Sequence, residues 1–188
     1  MDTRSGLLHA ALALFAARGY EAVGVQEIAA AAGVTKPTLY HFFGSKHGLL
    51  EALFSERAAE LDLAVEQAAA YDGDLPLTLD RIAACYVSFA TREPLFYRFE
   101  MALFLAPSDA EGHRVALRHY ARRRAVIELM FQRAVRQHGN MRGRHQRYAL
   151  TLVGMINNYI ALQLDQQLVI TDRLRREMVH QFSHGIYS

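Results

Sequence analysis

Apolar residues recur at helical spacing along most of this chain. Leu8, Leu12 and Phe15, with Ala11 and Leu14 alongside, give residues 4–18 one apolar face, and Gly19 ends the run. Ile28, Ala29 and Ala32 do the same for residues 25–32, and Leu39 and Phe43 for residues 35–43. Residues 46–70 read as a long helix: Leu49, Leu50, Leu53 and Phe54 dock it, and Ala58, Leu61 and Val65 continue its stripe. Asp72-Gly73-Asp74-Leu75-Pro76 is the next break. Leu79, Ile82, Ala83, Tyr86 and Phe89 then mark a helix over 77–92. Residues 95–105, LFYRFEMALFL, are apolar nearly all round, which predicts a buried helix. Helices over 109–138, 144–168 and 172–186 complete the chain, with His138-Gly139-Asn140 as a stop signal between the first two. The pattern predicts an all-α protein of about nine helices.

The two shortest helices carry the most specific signal. In VQEIAAAAGVTKPTLYHFFGSK, Gly33 stands where a helix needs a residue tolerant of positive φ to stop. Val34 plugs the corner. Thr35 can cap the next helix, and Pro37 falls in its first turn, where a missing N–H costs nothing. With Leu39 and Phe43 inward, Lys36, Thr38, Tyr40 and His41 point outward. A cation, a hydroxyl, a phenol and an imidazole on a short exposed helix suit phosphates and groove edges. Two helices joined by a tight Gly-containing turn form the helix-turn-helix pattern. Gly44 breaks the second of them, Ser45 caps the long helix, and Lys46 opens it, where free amides and a cation suit a phosphate.

AAAGVTKPTLYHFFGSKHGLL resembles the DNA-binding segment of TetR-type (TetR/AcrR) transcriptional regulators, and RSGLLHAALALFAARGY is similar to that family's first helix and its Gly-aromatic exit. The resemblance covers roughly residues 4–53. Val23 and Gly24 stand where the family usually has Ser or Thr; Gly24 can cap the second helix but brings no hydroxyl to a phosphate. The resemblance implies a three-helix helix-turn-helix DNA-binding domain over residues 1–50. It implies a helical effector-binding and dimerisation domain over 51–188. The DNA contacts expected are Thr35, Lys36, Pro37, Thr38, Tyr40, His41 and Lys46.

Charge changes the picture in the second half. The net charge of +2 hides an acidic stretch over 51–111, with four Lys/Arg and twelve Asp/Glu, and a basic one over 112–147, with ten and one. The two lysines of the chain, Lys36 and Lys46, both lie in the motif. The arginines of the seventh helix, among them Arg114, Arg118 and Arg122 at four-residue spacing, read first as a solvated face paired with the acidic helices. The alternative is an anionic effector or partner site. One cysteine, Cys85, allows no internal disulfide and suits packing. The N-terminal stretch has a faint likeness to a secretory signal, but Asp2 cancels Arg4 and His9 interrupts the apolar run. No run reaches the roughly 18 apolar residues of a membrane span, so the expectation is a cytoplasmic protein.

Tyr86, Phe89, Phe96, Phe99, Tyr120 and Phe131 concentrate in helices five to seven. Their spacing alone favours plain core. The resemblance implies instead an effector pocket, for which these six and Asn157 are the candidates, with an apolar, aromatic or anionic ligand. Asn157 and Asn158 fit a ligand contact or an inter-helix hydrogen bond equally well. Val153, Ile156, Tyr159, Ile160 and Leu164 form a stripe on helix eight, and Leu174, Met178, Phe182 and Ile186 another on helix nine. They suit a four-helix homodimer interface, the arrangement the resemblance also implies, for which Val153, Ile156, Tyr159, Ile160, Leu174, Met178 and Phe182 are the residues. His180 and His184 lack a third ligand, so no metal is assigned. No phosphate loop, nucleophile elbow or acid–base pair supports catalysis, and no cofactor is implied. The expected protein is a repressor released from a palindromic double-stranded operator by a small molecule. Its rivals are a DNA-binding regulator without a ligand and, more remotely, a helical enzyme.

Overall fold

The computed structural model describes residues 2–137 and 141–185. Among them it holds nine α-helices and no strand: α1 (Thr3–Arg18), α2 (Val25–Ala31), α3 (Lys36–Phe43), α4 (Lys46–Ala68), α5 (Leu75–Arg92), α6 (Pro94–Phe104), α7 (Glu111–Ala134), α8 (His145–Leu164) and α9 (Asp172–His184). The expected stop at His138–Asn140 and the last stripe member, Ile186, lie outside the described residues.

The helices are bounded by local chemistry. The Asp2 carboxylate accepts from the Ser5 amide at 2.8 Å, Asp74 from Leu77 at 2.9 Å and Thr171 from Leu174 at 3.2 Å. Each satisfies one of the amides that a first turn leaves without a partner. Gly24 caps α2 differently: its own N–H donates to the Glu27 carboxylate at 3.0 Å.

Packing divides the chain into two compact units. The first takes the chain through Glu60 together with Leu95–His119. Its core is built on Leu7, Leu8, Phe15, Ile28, Leu39, Leu50 and Phe54, all essentially inaccessible. Aromatic rings join its parts: Phe15 meets Tyr20 edge-on at 5.1 Å and stacks with Phe99 at 5.7 Å, and Phe54 meets Phe96 at 5.2 Å. The sixth helix is buried on one face only, through Phe96, Tyr97, Phe99, Glu100 and Leu103. Leu95 and Leu105 stay 42% and 74% exposed, so the expectation of a wholly buried helix does not hold.

The second unit takes Leu61–Pro94 and Tyr120 onward. Here α5 packs on α8 and α9. Arg123 and Asp62 form an ion pair at 3.0 Å with both side chains 4% exposed. The stripe expected to form a dimer interface is corrected by this packing. Val153, Ile156, Ile160 and Met178 are at most 1% exposed within the single chain, so their apolar face is already covered by the unit's own helices. Tyr159, Leu174 and Phe182 of the same set stay half-buried.

Candidate nucleic-acid interface

The helix-turn-helix is held mainly by backbone devices. Gly33, at φ 67°, makes the turn that a side chain would strain, and its N–H donates to the Ala30 carbonyl at 3.0 Å. The Thr35 hydroxyl accepts from the Thr38 amide at 3.4 Å and lies 2.9 Å from the Thr38 hydroxyl. Pro37 sits in the first turn of α3. Leu39 is the anchor, fully buried. Phe43 is half-buried, and the Arg4 guanidinium lies 5.5 Å from its ring centroid while also pairing with Glu56.

Leu39 and Phe43 fix the rotation of α3. At about 100° per residue, Pro37 and His41 stand opposite them. Lys36 and Tyr40 lie on one flank, Thr38 and Phe42 on the other. Thr35, Lys36, Pro37, Tyr40 and His41 are exposed and Thr38 half-buried. The Lys36 ammonium lies 5.7 Å from the Tyr40 ring centroid, so cation and phenol form one patch. The side chains expected to face DNA thus share one outward surface, Lys46 excepted.

Lys46 is turned inward. Its ammonium donates to the carbonyls of Tyr20 at 3.1 Å, Val23 at 3.3 Å and Glu21 at 3.5 Å, and lies 4.3 Å from the Tyr20 ring centroid. A lysine has three N–H donors, and these carbonyls occupy them. The free cation expected at this helix start is therefore a clip on the chain leading into α2.

Around that clip runs a polar chain which the sequence did not reveal. The Tyr20 hydroxyl donates to Glu111, and burial, with Glu111 adding to it, raises the phenol well above its ordinary pKa. His47 lies 3.2 Å from both Glu111 and Glu51, and Arg118 pairs with Glu51. Tyr20 and Glu111 are 91 residues apart, and no local pattern links them.

Three arginines of α7 pair with acids of α4. Arg118 pairs with Glu51, Arg122 with Glu66 at 2.8 Å and Arg123 with Asp62, while Arg114 donates to the Asp109 carbonyl at 2.7 Å. Arg118 and Arg122 are the exposed, acid-paired members of this set, while Arg123 is buried with Asp62.

The candidate effector residues fall in two places. Phe96 and Phe99 belong to the first unit; Tyr86, Phe89, Tyr120, Phe131 and Asn157 belong to the second. Tyr86, Phe89, Phe96, Phe99 and Phe131 are buried to 3% exposure or less. Phe99 lines an open groove of about 790 Å³ with Phe15, Tyr20, Arg98 and Leu103. Phe131 lines a cavity of about 200 Å³ with Leu75, Leu79, Met141, Tyr148, Phe182 and Ser183. Burial pushes the Cys85 thiol up to about 12, the state of an unreactive packing residue. His180 and His184 stack at 4.2 Å, and no metal-binding cluster occurs among the described residues. No helix among them is long and apolar enough to cross a membrane.

Comparison with known proteins agrees with this geometry. The chain is 35% identical over 117 residues to the HTH-type transcriptional activator FasR of Mycolicibacterium smegmatis. That match covers 61% of this chain and 53% of FasR, about half of the relative's length. The solved transcriptional regulator FadR of Bacillus subtilis, in complex with stearoyl-CoA, superposes with a TM-score of 0.78 at 18% identity, over 97% of this chain and 98% of that one. The fatty acid degradation regulator FadR of Bacillus halodurans gives 0.79 at 16% identity, over 99% and 97%. At such identities the likeness is one of fold. The segment that carries the recognition geometry, residues 7–53, matches the tetR family of bacterial regulatory proteins.

Proposed function

We propose that this chain is a ligand-responsive transcriptional regulator that binds a palindromic operator as a homodimer. One observation carries the reading: a packed helix-turn-helix presents Lys36, Pro37, Thr38, Tyr40 and His41 together on the outer face of α3. In helix-turn-helix proteins the second helix enters the major groove by its N-terminal residues. Lys36 can donate to guanine acceptors, and Pro37 and Thr38 can touch a thymine methyl. Tyr40, on the flank, suits a phosphate. Thr35 serves here chiefly as the cap of α3. Residues 1–50 act on DNA, and residues 51–188 sense and dimerise, in the cytoplasm.

Dimerisation falls to the outward side of α8 and α9. A groove of about 430 Å³ there is lined by Tyr148, Thr151, Met155, Tyr159, Gln181 and Phe182, and Leu150 is 40% exposed nearby in sequence. The effector falls to the second unit, among Tyr86, Phe89, Tyr120, Phe131 and Asn157. The 200 Å³ cavity beside Phe131 lies below the ~300–1,000 Å³ of typical ligand sites, so an effector must open the unit to enter. The stearoyl-CoA of the Bacillus subtilis FadR complex recommends a long-chain acyl thioester, apolar along the chain and anionic at the head. Opening the unit would move α4, which contributes residues to both units. That would change the separation of the two α3 helices, which must match half-sites a helical turn or a multiple apart. The effect rests on ligand binding one dimer state better than the other.

Selection from a random duplex library with the purified chain tests the first part. A palindrome with half-sites about ten base pairs or a multiple apart is expected; no enriched sequence refutes operator binding. Stearoyl-CoA titrated into the complex tests the second. Release of the duplex supports the reading, and binding unchanged by acyl thioesters favours a regulator without such a ligand.

A further inference from the structure

We propose that Phe42 is a specificity residue that reads a thymine methyl group in the major groove. This rests on the operator-binding reading above and adds a residue to it. Phe42 is 39% exposed, a large apolar ring left at the surface of a short helix. Its nearest aromatic neighbours are those adjoining it in α3, His41 with ring centroids 5.4 Å apart and Phe43 at 6.1 Å. The buried side of the helix is set by Leu39, so Phe42 stands off to one flank.

What shares that flank decides the chemistry. Thr38 lies one turn earlier on the same side, four residues away, the spacing at which helix side chains are neighbours. Its hydroxyl lies 2.9 Å from that of Thr35, on the N-terminal side of the helix, and its methyl is the apolar group it adds to this flank. The Thr38 methyl and the Phe42 ring therefore make a short apolar strip. The other flank carries Lys36 and Tyr40, a cation and a phenol in contact. One side of α3 is built for phosphates and guanine acceptors, and the other presents mainly the Phe42 ring and the Thr38 methyl, with the Thr38 hydroxyl turned toward that of Thr35. Among the groups displayed in the major groove, the 5-methyl of thymine is the apolar one, and an aromatic ring is a known partner for it.

The test uses the operator selected by the wild-type protein, with each thymine replaced in turn by uracil, which removes the methyl and leaves the hydrogen-bonding edge intact. Uracil at one symmetric position should weaken wild-type binding about fourfold per half-site, hence roughly fifteen-fold for both, the value of one methyl transferred from water. Phe42→Ala should lose a similar factor on the thymine operator and become indifferent to uracil at that position. Phe42→Leu should keep part of the effect and covers the case in which the alanine variant folds poorly. If wild-type binds specifically yet no uracil substitution matters, the proposal is overturned while operator binding stands. Equal losses for Phe42→Ala on thymine and uracil duplexes, with the melting temperature held, also overturn it. Failure of the wild-type protein to select any sequence removes both.

Discussion

The α2–α3 pair and the α8–α9 pair reach order by different means. In α2–α3 the few buried side chains are Ile28, Ala29 and Leu39, and the geometry comes from caps and turns: Gly24 on Glu27, Gly33 at positive φ, Thr35 on Thr38. In α8–α9 the geometry comes from burial, with Leu152, Val153, Ile156, Ile160, Met178 and Val179 covered by neighbouring helices. A pair held by backbone devices can leave most of its side chains exposed, as a surface that must read DNA requires. A pair held by stripes must bury them. The difference predicts that core substitutions will be costly in the second unit, whereas the motif will be sensitive at its turns.

The largest effect expected belongs to the buried ion pair of the second unit. Asp62→Ala leaves the Arg123 guanidinium buried without its carboxylate, which costs about 3–5 kcal/mol. Glu66→Ala removes the partner of the exposed Arg122 and should leave stability unchanged within error. Urea unfolding of the two variants, side by side, decides it. Comparable losses for both would mean that the α4–α7 pairing acts as a network rather than through its buried member.

Ile156→Ala and Tyr159→Ala probe the stripe next. A fully buried isoleucine truncated to alanine costs about 2–5 kcal/mol, without changing the association state of the protein that folds. Tyr159→Ala, on the half-exposed side, should cost less in folding and more in association. Sedimentation at several concentrations separates the two, and a monomeric but stable Ile156→Ala would return that residue to the interface.

Lys46 gives an intermediate effect. Lys46→Met abandons three carbonyls and a ring. Hydrogen bonds to a charged group are worth about 1.5–3 kcal/mol net, and half-burial here places the expected loss near the lower figure. The salt dependence of operator binding should not change. A drop in the log–log slope by about 1.8 for a dimer, with no loss of melting temperature, would make Lys46 a phosphate ligand instead.

Lys46 also marks where sequence reasoning reached its end. The signals that survived translation into structure were local. Gly33, Thr35 and Pro37 act on atoms within three residues of themselves, so their spacing carries the motif and, with the helical periodicity, most of the fold. The position of Lys46 at the start of α4 was equally legible. The direction of its ammonium was not, because the carbonyls it meets lie 23 to 26 residues earlier. The same holds for Tyr20 and Glu111. On α8 the period identified the apolar face correctly but could not say what covers it. A stripe meeting α5 within the chain and one meeting a second copy look identical in sequence. The aromatics of helices five to seven failed to mark one pocket for a related reason: α6 packs in the first unit beside Phe15 and Phe54, while Tyr86, Phe89 and Phe131 belong to the second.

The smallest effects expected come from two glycines, and they sharpen the contrast between the pairs. Gly33 has open space around it: a Cβ built there meets nothing within 4 Å. Its requirement is conformational, since φ is 67°. Gly33→Ala should therefore cost about 1–2 kcal/mol, the left-handed penalty for an L-residue, without any steric clash. Gly33→Asn should recover part of the loss, because asparagine tolerates that region better than alanine. Gly154 on α8 is equally open and lies within a regular helix. Alanine there removes the entropic cost of a mid-helix glycine and should stabilise the isolated chain by about 0.5–1 kcal/mol. Thermal unfolding of the two variants thus gives opposite signs for the same chemical change. If Gly154→Ala instead destabilises and does so more as protein concentration rises through the dimer range, the glycine sits against a second copy, and the exposed side of α8 is the interface proposed for it.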